Sequence, residues 1–455
     1  MTDFAGKRVL VYGAGKSGVG ATEMLMRLGA DVLLYDQKAD PETICGRFSE
    51  GACPRVMTGA LDVRETGKLD LAVLSPGVPT DIPQVLLFHK MGIPVWGEVE
   101  LAYEASRGRV LAITGTNGKT TTTALVGEIM KSACPEVFVV GNIGNAYTGA
   151  ALDTTENSTV VAEISSFQLE TIHRFRPLVS AILNITPDHL NRHHTMEEYI
   201  RVKERIAENQ DASCVCVLNY EDPVLREFAK TCPAKVFFFS SRHILEDGIF
   251  LDDGRIVMVK DGVRTEVLDT DELLLIGIHN YENVMAAIAM AYSAGVQLEV
   301  IRDVCRFFQP VAHRIEFIAE KNGIIWYNDS KGTNPDAAIK GIEAMSRPTF
   351  LIAGGYDKGS DYSDWIRSFN GRVKKLVLEG ATAEKIRECA ITCGFPIEDI
   401  VMRGTMLEAM EYCAAFAEEG DAVLLSPACA SWGEFPNYEV RGETFRNYVE
   451  KEIKG

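Results

Sequence analysis

No apolar stretch in this chain approaches the roughly 20 residues of a membrane-spanning helix, and the N-terminus lacks the layout of a signal peptide. A soluble, cytoplasmic protein with no membrane partner is the expectation. Positive charge is also short: 46 Lys and Arg against 64 Asp and Glu leave a formal net charge of -18. That balance argues against a general attraction for nucleic acid or an anionic surface. Anions can still be held where cations are focused locally, and Lys119, the Arg192-His193-His194 cluster, Lys331 and Lys358 are candidates. The 11 cysteines are odd in number and never spaced C-x-x-C, which argues against a disulfide framework or a zinc ribbon and suits a reducing compartment. Cys214-Val215-Cys216 reads as strand core rather than a metal site. Low-complexity tracts and short-period repeats are missing as well.

What is present is an ordinary globular composition, 46% hydrophobic and 24% charged. At 455 residues the length suggests about three domains. The strongest local signal is Ile113-Thr114-Gly115-Thr116-Asn117-Gly118-Lys119-Thr120-Thr121. It follows the apolar run Val110 to Ile113 and precedes a helical stretch to Lys131, so its glycines fall in a strand-to-helix turn. Gly115 and Gly118 let backbone N–H groups turn inward to phosphate, the helix N-terminus adds its dipole, and Lys119 supplies a mobile charge. Thr120 can offer a hydroxyl to Mg²⁺. Two residues separate the glycines where the commoner P-loop has four, so this is a variant loop.

A second glycine turn opens the chain. Arg8 to Tyr12 reads as a strand, Gly13-Ala14-Gly15-Lys16-Ser17-Gly18 as the turn, and Val32 to Tyr35 as a second strand ending at Asp36. This is the dinucleotide fingerprint in a βαβ unit. Alone it would suggest NAD and an oxidoreductase, but a diphosphate on a helix N-terminus and a ribose near Asp36 describe a nucleotide sugar equally well. Ser75-Pro76-Gly77 closes another strand, Leu69 to Leu74.

The expected fold class is α/β with three domains. Residues 1–98 form a Rossmann-like nucleotide-binding domain. Residues 99–310 form a central P-loop-type domain, with a small antiparallel addition around the hairpin signal Asp252-Asp253-Gly254, and residues 311–455 form a Rossmann-like C-terminal domain. Within the central segment Glu163 ends the strand Val160 to Ala162, where a carboxylate can hold Mg²⁺ directly or through water. Asp188-His189 follows the strand Val179 to Asn184, and Lys203 lies on a helix. Read singly, these are equally a helix cap, a turn and a solvated helix face.

Seven blocks recur in the order seen in the Mur ligases: G-T-N-G-K-T-T, S-S-F-Q-L-E, N-I-T-P-D-H-L-N-R-H, H-N-Y-E-N, A-H-R-I-E, N-D-S-K-G-T-N and G-G-Y-D-K-G. The resemblance spans essentially the whole chain. Ser75-Pro76-Gly77, Trp96-Gly97-Glu98-Val99-Glu100 and Ser426-Pro427-Ala428-Cys429-Ala430-Ser431 are similar to the member that adds D-glutamate, and the D-N-P-R block of diamino-acid-adding relatives is missing. Folylpolyglutamate synthases share the ATP loop but lack the N-terminal domain. The resemblance implies a monomeric ATP-dependent ligase that joins D-glutamate to UDP-N-acetylmuramoyl-L-alanine through an acyl phosphate, in the synthesis of peptidoglycan precursors.

By resemblance, Gly115, Thr116, Asn117, Gly118, Lys119, Thr120 and Thr121 hold ATP, while Thr120, Glu163 and His189 organise two Mg²⁺ ions. Lys203 matches the family position that carries a carbamate. Asn283, Arg314 and Asp329 bind the nucleotide. Gly15, Ser17, Asp36, Ser75 and Gly77 bind the nucleotide sugar, and Asn142 and Ser165 its muramoyl part. Lys331, Thr333, Lys358, Ser431 and Tyr438 recognise D-glutamate. Gly332 stands where alanine is frequent, and Gln37-Lys38 where Thr-Arg is common. Other readings are another amino-acid ligase, an NAD-dependent oxidoreductase that leaves the ATP loop idle, and a non-catalytic ATP switch with no need for Lys331 and Lys358.

Overall fold

Apolar runs that end at glycine turns build three sheets in the computed structural model of the chain, which describes all residues except 1, 50–51, 62–67, 142–144, 310–311 and 454–455. The first sheet contains β1 (Arg8–Tyr12), β2 (Asp31–Asp36), β3 (Arg55–Thr58), β4 (Leu71–Leu74) and β5 (Val95–Gly97). Its order is β3-β2-β1-β4-β5, all parallel. Val9, Leu10 and Val11 are all fully buried, as strands covered on both faces require. Strand order reverses beside β1, so the Gly13 turn opens into the crevice where such sheets bind ligands.

The central sheet runs through β6 (Arg109–Thr114), β7 (Val137–Gly141), β8 (Thr159–Glu163), β9 (Val179–Ile182), β10 (Val215–Asn219) and β11 (Lys235–Ser240). It continues with β12 (Gly248–Asp252), β13 (Arg255–Lys260) and β14 (Val263–Asp269), in the order β14-β13-β12-β11-β10-β9-β6-β8-β7. The antiparallel addition is therefore an extension of this sheet, joined by the parallel β11–β12 pair. Asp253 and Gly254, at φ 46 and 77, form the two-residue hairpin that Asp-Gly favours. The phosphate loop follows β6, again where strand order reverses. Cys216 lies buried in β10, as its alternating pattern suggests.

The third sheet contains β15 (Glu316–Lys321), β16 (Ile324–Asn328), β17 (Thr349–Gly354), β18 (Val373–Glu379), β19 (Ile400–Met402) and β20 (Ala422–Leu425). Its order is β15-β16-β20-β17-β18-β19, with only β15 antiparallel. Four of these strands match apolar runs expected from sequence, and β15 and β19 are additional.

Met1–Glu272 with Glu282–Phe307 form one compact unit, and Leu273–Tyr281 with Phe308–Gly455 another. In the first unit the two sheets share a continuous apolar core that includes Val9, Val11, Val99, Leu101, Ala112 and Ala162. The 310/311 boundary expected from sequence lies outside the described residues. Cys45 and Cys53 are joined by a disulfide. This departs from the expectation of thiols throughout: the short helix Pro41–Cys45 and the turn after it bring two cysteines eight apart in sequence to a Cα separation of 5.1 Å.

Candidate active site

The helix Lys119–Ala133 begins directly on the phosphate loop. Gly115 and Gly118 have φ of 151 and 84, and a Cβ on Gly118 would lie 2.2 Å from Asn283 Oδ1. Asn283, buried on the helix Ile278–Ser293, thus presses against the start of the loop helix, where Thr122 Oγ1 also donates to it at 3.4 Å. Asn184, just beyond β9, braces the loop from the other side: Asn117 N–H donates to Asn184 Oδ1 at 2.8 Å and Thr116 N–H to the Asn184 carbonyl at 2.9 Å.

Two lysines meet at one oxygen. Lys119 Nζ donates to the carbonyls of Gly115 and Thr116 at 2.7 and 2.8 Å, and Lys203 Nζ donates to Gly115 O at 2.8 Å. Lys203 is only 1% exposed and lies over the Tyr199 ring at 4.8 Å, while the Tyr199 hydroxyl contacts Thr116 Oγ1 at 3.1 Å. Burial, reinforced by the Lys119 charge, holds the Lys203 amine well below its ordinary range. Lys203 is therefore no solvated helix face. Glu163 is buried at the end of β8, paired across to Ile113 of β6 and Gly141 of β7, which puts it one strand from the loop. Thr120 and Thr121 are buried on the first helical turn. His189 adopts φ 53 and packs edge-on to Phe167 at 4.9 Å beside Asp188, so its position is a strained turn with an accessible imidazole. Asn142 lies outside the described residues.

Among the described residues no group of three or more His, Cys, Asp and Glu side chains can hold a metal by itself. The Arg192-His193-His194 cluster is not the anion site its sequence suggested. Arg192 makes a two-pronged ion pair with Glu170 at 3.1 and 2.6 Å and donates to Val78 O at 2.8 Å. His194 pairs with Asp81 at 3.0 Å, and burial lowers the pKa of His193, whose Nε2 meets Ser166 Oγ at 3.0 Å. Neighbouring acids have absorbed this charge to tie the 78–81 segment to the central sheet.

In the first sheet, a Cβ on Gly18 would fall 1.7 Å from Gly13 O, so helix Lys16–Arg27, which carries Ser17, sits tight against the turn. Ser75 Oγ donates to Gly13 O at 2.9 Å, binding the Ser75–Gly77 turn to the same crevice that Gly15 faces. Asp36 takes N–H bonds from Ala14, Lys38 and Ala39, each at 3.0 Å. Burial favours its neutral form, but these donors outweigh it and lower the pKa, so the carboxylate is charged and fixed.

The second unit collects the remaining residues. Asp329 is buried, accepts Ser426 Oγ–H at 2.7 Å, and burial pushes its pKa up to about 7 despite the Arg314 charge nearby. Arg314 keeps its buried Nε without a hydrogen-bond partner among the described residues. Lys331 lies over the Tyr438 ring at 5.4 Å, Thr333 N–H donates to Lys331 O at 2.8 Å, and Lys358 lies over Trp432 at 5.2 Å, next to the buried Ser431. The glycine at 332 has a local reason: a Cβ there would lie 2.6 Å from Asp329 Oδ2. Arg441 was not singled out from sequence. It is 1% exposed and donates to Ser330 Oγ and O and to Cys429 O at 3.0, 2.8 and 3.2 Å, locking the Asp329–Lys331 turn to the segment before Ser431.

Family models match three consecutive parts of the chain: "Mur ligase MurD-like, N-terminal domain" over residues 7–97, "Mur ligase middle domain" over 113–291, and "Mur ligase, glutamate ligase domain" over 313–429. A UDP-N-acetylmuramoylalanine–D-glutamate ligase from Lachnospira eligens is 52% identical over 450 residues, covering 98% of this chain and 99% of that one. The chain belongs to the Mur ligase family. As a Mur ligase it is an ATP-dependent enzyme that forms an amide bond and releases ADP. The enzyme of the same name from Lachnoclostridium phytofermentans is 51% identical, with 98% of each chain covered. Among solved structures, MurF from Acinetobacter baumannii shares the fold with a TM-score of 0.60 at 17% identity, over 99% of this chain and 92% of that one.

Proposed function

We propose that this Mur ligase joins the amine of D-glutamate to the carboxylate of UDP-N-acetylmuramoyl-L-alanine, within cytoplasmic peptidoglycan precursor synthesis. The observation that carries the chemical part is the convergence of Lys119 and buried Lys203 on Gly115 O, beside Glu163. A free carboxylate does not yield to an amine, because its leaving group would be oxide. Phosphorylation by ATP supplies the leaving group, and the amine of D-glutamate then adds to the acyl phosphate and expels phosphate. Lys119 and the loop N–H groups balance charge on the transferring phosphoryl group.

Thr120, Glu163 and His189 would hold Mg²⁺, with the nucleotide phosphates completing its coordination. The ion would neutralise phosphate charge. Lys203 fits a carbamate: its lowered pKa provides the neutral amine, which combines with CO₂ to give a carbamate and one proton, and the product is an anion suited to a cation site. Asn283, Arg314 and Asp329 serve the nucleotide, and the Asp36 crevice with Gly15, Ser17, Ser75 and Gly77 serves the uridine diphosphate. Asn142 and Ser165 serve the muramoyl part. Lys331, Thr333, Lys358, Ser431 and Tyr438 receive D-glutamate, with Lys358 as a carboxylate anchor. Residues 1–98, 99–310 and 311–455 are the corresponding working domains of a monomer.

Product analysis with UDP-N-acetylmuramoyl-L-alanine, ATP and D-glutamate tests this reading. ADP release that needs all three substrates is expected; equal turnover with L-glutamate, or amide formation without ATP, overturns it.

A further inference from the structure

The helix Glu98–Ala105 carries two fully buried acids with different surroundings. Glu100 is satisfied by backbone: the N–H groups of His173, Arg174 and Phe175 reach it at 2.8, 2.7 and 3.1 Å. That is a structural carboxylate. Glu98, 2% exposed, accepts from the side-chain amide of Gln168, which donates through Nε2 to Oε1 at 2.6 Å. Its Oε2 is buried with no hydrogen-bond partner among the described residues. Buried acceptors left this way are uncommon and call for a reason beyond stability.

Gln168 passes the contact on. Its Oε1 accepts both the N–H and the Oγ–H of Ser165, at 2.8 and 2.9 Å, while Ser165 Oγ accepts the Gln168 N–H at 3.3 Å. The Ser165–Gln168 pair is a capping box for the helix Ser166–Leu169. A capping box needs no third member, and an amide can satisfy part of it in either flip. The Glu98 Oε1 that meets Nε2 accepts from the amide nitrogen, and so favours the flip that holds Gln168 Oε1 toward Ser165. The approach is enforced by backbone: Gly97 N–H donates to Thr171 O at 3.1 Å, and a Cβ at Gly97 would lie 2.2 Å from Thr171 Oγ1. Glu98, Gln168, Gly97, Phe167, Ser75 and Pro76 line one cavity of about 10 Å³, which links this chain of bonds to the Ser75 turn.

We propose that Glu98 is a positioning residue for acceptor binding, acting through Gln168 to commit the Ser165 hydroxyl proton inward and leave its oxygen to receive a hydrogen bond from the acceptor substrate. The proposal rests on the reading of Ser165 as a muramoyl contact. Steady-state kinetics on the full-length enzyme test it. Glu98→Ala raises KM for UDP-N-acetylmuramoyl-L-alanine about tenfold, the size of one lost hydrogen bond, with KM for ATP and D-glutamate unchanged. Glu98→Gln, which keeps an acceptor oxygen, restores most of the loss. Glu98→Ala combined with Ser165→Ala is no worse than Ser165→Ala alone, because the two act as one unit.

If Glu98→Ala does not fold, Gln168→Leu breaks the same chain from its other end and gives the same selective rise. An acceptor KM unmoved by both Glu98→Ala and Gln168→Leu, or losses that add in the double variant, overturns the proposal while leaving Ser165 as a contact. An unmoved acceptor KM in Ser165→Ala overturns the Ser165 reading and the proposal with it.

Discussion

At the scale of single residues, the site is built from groups held in states that water would not give them. The folded Lys203 amine is neutral where the unfolded chain, with its ordinary value of 10.5, is charged, so folding releases a proton. Wild-type stability therefore falls as pH drops from 10.5 toward the lowered pKa. Lys203→Met removes this penalty and so flattens that fall in stability, while abolishing ligation. Urea unfolding across that window, beside an ADP-release assay, checks both outcomes. Lys203→Ala is expected to recover part of its activity with added small carboxylates, if the missing group is a carbamate. Asp329 has the opposite sign. It takes up a proton on folding between 3.8 and about 7, so its contribution is full below 3.8 and lost as pH rises to about 7. Asp329→Asn flattens that stretch of the stability profile, which unfolding midpoints at pH about 5 and about 8 will reveal.

At the scale of elements, glycines set the geometry of the phosphate loop. Gly118→Ala meets both a left-handed φ of 84 and the 2.2 Å approach to Asn283. It is expected to cost at least about 1–2 kcal/mol and to weaken ATP binding while nucleotide-sugar binding persists, which separate titrations will show. The strands that carry the site were legible in sequence because each is an apolar run cut by a glycine or polar turn. β15 was not, since its edge position leaves Phe317 half exposed and its pattern broken, and β19 is only three residues. β9 ends at Ile182 rather than Asn184 because Asn184 turns aside to brace the loop. Motif residues such as Lys119, Glu163 and Lys203 stood out through their company. Glu98 and Gln168 stood in two separate motif blocks, but their contact did not show, and Arg441 was not marked at all: Gln168 lies 70 positions from Glu98 and Ser330 lies 111 from Arg441, and nothing local in sequence marks such pairs. The Arg192 cluster misled for the same reason, since its acids come from elsewhere in the chain.

At the scale of the whole molecule, the division into two compact units predicts two unfolding transitions in calorimetry. A nucleotide held mainly by the loop raises the transition of the unit containing residues 1–272, and Lys119→Ala removes that rise while a nucleotide sugar still produces its own. At a hundredfold excess over the dissociation constant the stabilisation is about 2.7 kcal/mol, so loss of the rise is readily seen. The resting contacts of Lys119 bear on how that binding registers. With its ammonium already donating to the carbonyls of Gly115 and Thr116, a phosphate does not find an idle charge; it displaces two incumbents. Bonds broken then offset bonds formed, and the enthalpy of nucleotide binding is small for the affinity attained. Titration calorimetry will see a weak heat where thermal melting sees a firm ligand, and replacing Lys119 with methionine will weaken binding while leaving its heat little changed.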